Sequence, residues 1–107
     1  MEHVYVFRHK YYFKDEEGTL NLQIASAIFK SEKGVNDFAI DTCMRLLNIS
    51  EKEPSLDELK IATYIKRMIL GKPLLAYKRI DVPCNFDEQG IQLEDDIVEI
   101  EKMELRD

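Results

Sequence analysis

From residue 3 to residue 14 the chain reads HVYVFRHKYYFK. Alternate residues of a strand point to opposite faces. One face then carries His3, Tyr5, Phe7, His9, Tyr11 and Phe13, and the other carries Val4, Val6, Arg8, Lys10, Tyr12 and Lys14. Rings gather on one side and cations on the other, the pattern of a half-buried strand with a wet back. A strand this long invites a bulge or bend near residues 8–10. Asp15 to Gly18 follow as a turn, with Gly18 free to take positive φ. Leu20, Leu22 and Ile24 alternate with Asn21 and Gln23, so a second strand closes a hairpin. Residues 25–31, ASAIFKS, fit either a continued strand or the start of a helix.

Two helical patterns come next. In GVNDFAIDTCMRLLNI, Asn36 is a candidate N-cap and Asp37 falls in the first turn. Phe38, Ala39, Met44 and Leu46 or Leu47 supply the apolar stripe, with Cys43 beside it. SEKEP breaks the chain. SLDELKIATYIKRMILGKP then opens on a capping box, Ser55 to Glu58, and stops at Gly71 and Pro73. Its apolar positions, Leu56, Leu59, Ala62, Ile65, Met68 and Ile69, follow one helix face.

LLAYKRIDV reads as a third strand, and Val98, Ile100 and Lys102 alternate with Glu99, Glu101 and Met103 in a last one. FKDEEGTLNL near the start and NFDEQGIQL at 85–93 both place an aromatic, then Asp-Glu-x-Gly, then an alternating apolar run. Shared turn chemistry explains this without a repeat. It predicts a second hairpin, pairing about 74–82 with about 91–105 across a long connection. The expected architecture is a single α+β domain over 1–107: a mostly antiparallel sheet of four to five strands, two helices packed on one face, in the order ββααβββ.

Composition changes this picture little and charge changes it more. A chain of 107 residues with 45% hydrophobic and 34% charged residues suits one folded domain. No cationic start leads into an apolar run, and no apolar stretch is long enough to span a bilayer, so a cytoplasmic location with Cys43 and Cys84 as free thiols is expected. The net charge of −6 argues against a protein that coats nucleic acid by charge alone. That charge is blocked along the chain. Residues 59–83 hold six basic residues and one acidic, while residues 84–107 hold two basic and nine acidic. Internal pairing of Glu99 and Glu101 with Lys78 and Arg79 across neighbouring strands is one explanation; the others are a basic block, with Lys60, Lys66 and Arg67 on one helix, that meets phosphates, and acidic blocks, Asp87 and Glu88 among them, that recruit a cationic partner.

Residue chemistry points away from an enzyme. His3 and His9 share a strand face but stand about 20 Å apart at strand rise, too far for one metal ion. Cys84 has no base near it in sequence, as a nucleophile requires. The acidic run at 94–96 lacks the spaced oxygen ligands and central glycine of a calcium loop. No glycine-rich phosphate loop occurs, and no cofactor is implied. The sequence therefore suggests a non-enzymatic accessory or regulatory factor that contacts a basic protein through Glu94, Asp95, Asp96, Glu99, Glu101 and Glu104. One version is an inhibitor seated on the cationic groove of a nucleic-acid enzyme, and a homodimer through an edge strand is compatible with it. The alternative is a nucleic-acid binder using Arg8, Lys10, Lys66, Arg67, Lys78 and Arg79, provided that these cations gather on one side. A membrane partner is not expected.

Overall fold

The computed structural model describes residues 2–49, 52–74 and 76–105. Its elements are β1 (His3–Lys14), β2 (Leu20–Phe29), α1 (Glu32–Leu46), α2 (Leu56–Leu70), β3 (Tyr77–Val82) and β4 (Asp96–Glu104). All four strands join one antiparallel sheet in the spatial order β2-β1-β4-β3. The fold is thus α+β with four strands. Where a fifth was expected, residues 85–93 form only a narrow ribbon, with the single bridge Phe86↔Gln92. Residues 50 and 51 of the expected break, and Leu75 of the expected third strand, lie outside the described residues.

The two Asp-Glu-x-Gly turns are built alike. The Asp15 carboxylate accepts from the N–H groups of Glu17 and Thr19, and Gly18 N–H donates to Asp15 C=O. The Asp87 carboxylate accepts from Gln89 and Ile91, and Gly90 N–H donates to Asp87 C=O. Gly18 and Gly90 take φ of 82° and 80°, where a Cβ is strained. The first turn closes the β1–β2 hairpin. The second lies inside the connection from β3 to β4.

Strand β1 has no bulge: its register with β2 runs unbroken from Tyr5↔Phe29 to Lys14↔Leu20. Residues 25–29 continue β2, and α1 starts a turn earlier than its sequence suggests. Its N-cap is Ser31, whose hydroxyl accepts from Gly34 N–H, a cap worth about 1 kcal/mol. Asn36 sits inside the helix and is buried, with no partner for its Oδ1 among the described residues. The Ser55–Glu58 capping box at the start of α2 is present on both sides.

The core lies between one sheet face and the helices. Phe7, Ile80, Val82, Val98 and Ile100 from the sheet meet Val35, Ala39 and Cys43 of α1 and Ile65 and Ile69 of α2. The helices cover only part of that face. Tyr5 packs on the core beside Phe7, but Tyr11 is half-buried against His9, and Phe13 is 39% exposed. The ring side of β1 is therefore half core and half surface, not the continuous core stripe that its alternation predicts. No helix among the described residues is long and apolar enough to cross a membrane.

Candidate functional site

The acidic C-terminal block divides into two populations. Glu99 stands on the helix-free face of the sheet, yet it is only 6% exposed. Tyr77 Oη donates to its Oε2 at 2.6 Å, and Lys10 Nζ lies 2.5 Å from its Oε1 as an ion pair without hydrogen-bond directionality. Burial alone would raise this carboxyl, but Lys10, Tyr77 and Arg8 outweigh it and hold it below the usual glutamate value. Burial and the Glu99 charge push the Tyr77 phenol up to about 12. Beside them, Arg8 Nη1 donates to Glu101 Oε2 at 2.9 Å. Asp96, 4% exposed, sits 2.8 Å from His9 Nε2 through Oδ2 and accepts from Asn85 Nδ2 at 2.7 Å through Oδ1.

Asp96, Glu99 and Glu101 are thus clasped within the molecule, but not by the expected cations. Arg79 lies opposite Glu99 in the β3–β4 register yet donates to Asp81. Lys78 points to the helix side and donates to the carbonyls of Ile69 and Lys72, closing the C-terminal end of α2. The partners come from β1 because β4 pairs with β1 on its other side, with Arg8 opposite Glu99. Strand order in space, which local pattern does not encode, made the difference.

The second population lines a groove. Strand β1 runs to Lys14, but its pairing with β4 ends at Lys10↔Ile97. Beyond that point the chain of residues 85–95 turns back on itself: Leu93 N–H donates to Asn85 C=O, and Asn85 Nδ2 donates to Glu94 C=O. A groove of about 1080 Å³ opens between the end of the hairpin and this ribbon. Tyr12, Phe13, Leu20, Phe86 and Leu93 line it together with the charged Lys14, Asp87, Glu88, Glu94 and Asp95. Asp95 accepts from Gln92 Nε2, whereas the carboxylates of Glu88 and Glu94 have no partner among the described residues. Glu104 is exposed at the far end of β4. Ladder alternation, fixed by the bond from Leu105 N–H to Glu2 C=O, aims the backbone groups of Tyr12 and Lys14 toward the groove. No backbone partner meets them among the described residues.

The six cations of the alternative reading do not converge. Arg8, Lys10 and Arg79 are paired with carboxylates on the helix-free face, Lys78 is tied to carbonyls on the other, and Lys66 and Arg67 are exposed on α2. Among the described residues no cluster of three or more His, Cys, Asp or Glu could hold a metal ion. Both cysteines are free. Cys84 packs against the core beside Asp96; burial first, and then the Asp96 charge, push its thiol up to about 11, so it is no activated nucleophile. Iodoacetamide at pH 8 is expected to alkylate Cys84 about a hundred-fold more slowly than a free cysteine, read by mass spectrometry of the peptide that carries it.

Sequence reading missed Phe13, Phe86 and Leu93 as site residues and offered Glu88 only as one member of the acidic block. The signal was the second Asp-Glu-x-Gly turn, which marks residues 85–93 as a structured ribbon and puts Phe86 and Glu88 on it. Compared with known protein families, curated proteins and solved structures, the chain matches none at a significant level.

Proposed function

We propose that the chain is a non-enzymatic accessory or regulatory factor that takes an extended basic segment of a partner protein into the groove between the hairpin end and residues 85–95. The observation that carries this reading is a groove lining that joins the rings of Tyr12, Phe13 and Phe86 with two carboxylates, Glu88 and Glu94, that have no partner among the described residues. Phe86 and Leu93 are 56% and 44% exposed, so covering them contributes about 1 kcal/mol each. The backbone groups of Tyr12 and Lys14 suit an added strand, which gives affinity without demanding one sequence. Partner contact thus narrows from the whole acidic block to Glu88, Glu94 and Asp95. An enzyme of nucleic acids, with its cationic surface, is one partner of the right chemistry, and the free thiols suit the cytoplasm.

Fluorescence anisotropy with a labelled peptide of alternating lysine and leucine tests this. Wild-type protein should bind it in a salt-dependent way. Glu88→Gln with Glu94→Gln should weaken binding about five-fold, and Phe86→Ala about ten-fold. Binding untouched by all three changes, or tighter binding of an oligonucleotide than of the peptide, would overturn the proposal.

A further inference from the structure

We propose that a second copy of this chain pairs with the outer edge of β2, antiparallel about a two-fold axis, to make one eight-stranded sheet. The two edges of the sheet are treated differently. Edge strand β3 is six residues long and carries Lys78, Arg79 and Asp81. Edge strand β2 is ten residues long, LNLQIASAIF, with no charge and no proline, in a chain that is 34% charged. Long, uncharged edges are templates for another strand, and soluble proteins blunt them unless they are used.

The backbone groups stand ready for it. Asp15 N–H donates to Thr19 C=O at the hairpin end, and the register from there is unbroken. Odd-numbered residues of β2 therefore aim their backbone groups at β1, and Leu20, Leu22, Ile24, Ser26 and Ile28 aim theirs outward. The side chains of the four aliphatics lie on the helix-free face, 50–71% exposed.

The strand complements itself, which selects a second copy as the occupant. With the axis at Ile24, that residue meets its own mate, and Leu20 meets Ile28 of the other copy. A shift of the axis to Ala25 sets Leu22 against Ile28. The outward positions left over meet Ser26 in either register, and Leu20 meets Lys30 in the second; each register still sets at least one aliphatic pair together, and neither brings like charges together despite the net charge of −6. Lacking a match at the charged β3 edge, the assembly closes at two. The shared strip is about 34 Å long and about 10 Å thick, a small footprint beside the ~800 Å² per partner of a standard interface, so the dimer forms only as concentration rises.

Sedimentation velocity from about 5 to about 500 µM reads this directly. The wild-type mass should climb from 12.6 kDa toward twice that value. Ile24→Lys should stay monomeric, and so should Ser26→Lys, whose side chain is exposed and whose folding is secure on that account. Leu59→Lys, on α2, should dimerise like wild type. A wild type that stays monomeric throughout, or β2 variants that associate as wild type does, would overturn the proposal.

Discussion

Phe7→Ala is expected to lower stability by about 3–5 kcal/mol in urea denaturation, the largest loss of any single change in β1. Phe7 is 3% exposed and pairs with Ile100 across the ladder. Its ring meets that of Phe38 edge-on, with centroids 4.8 Å apart and planes at 88°. Truncation removes that contact and leaves a cavity between sheet and α1, which close packing cannot refill. Phe13→Ala, on the same side of the same strand, should cost less than about 1.5 kcal/mol, because Phe13 lies beyond the helices and keeps 39% of its surface in water. Equal losses at the two sites would mean that the helices cover the whole strand.

Lys10→Met should cost about 2–3 kcal/mol at pH 7. Removing one partner of a buried ion pair leaves the other charge uncompensated, a loss of about 3–5 kcal/mol when both are fully buried. Here the Lys10 side chain is 31% exposed while that of Glu99 is 7%, and Tyr77 and Arg8 remain near the carboxylate, so the lower figure applies. Adding Glu99→Leu to Lys10→Met should restore part of the loss, since no buried charge then lacks a partner. The pH dependence has a definite sign. Glu99 is held below its ordinary value of 4.5 in the folded protein. Its contribution is complete above that value and lost as pH falls through the lower folded one. The difference between wild type and Lys10→Met, measured by urea denaturation from pH 7 down to pH 3, should therefore shrink in acid. A constant difference would mean that Lys10 acts through packing alone.

Local pattern made most of the fold legible. The β1–β2 hairpin, the paired Asp-Glu-x-Gly turns and the capping box at Ser55 each depend on residues close in sequence, and each is present as read, whereas the ring side of β1 is core around Phe7 and surface at Phe13. What was not legible depends on distance. The sequence offers Lys78 and Arg79 as partners of Glu99 and Glu101 because they lie in the neighbouring strand. The clasping cations, Arg8 and Lys10, are brought in by the β1–β4 pairing of chain segments about ninety residues apart. The start of α1 was misplaced for a local reason: Asn36 and Ser31 are both good caps, and the intervening Gly34 lowers helix propensity without stopping the helix. The groove was hidden because it exists only where β1 outruns β4. The acidic block was recognised, but its division between Glu99 and Glu101 on one side and Glu88 and Glu94 on the other comes from burial, which charge counting cannot supply.

That division is the central claim, and thermal melting of two double variants tests it most directly. Glu99→Gln with Glu101→Gln should lower Tm by about 8–15 °C, as expected for a loss near 2 kcal/mol in a domain of this size. Glu88→Gln with Glu94→Gln should leave Tm within about 2 °C of wild type, as exposed substitutions do. A fall in Tm confined to the second pair, with the first unmoved, would contradict the account.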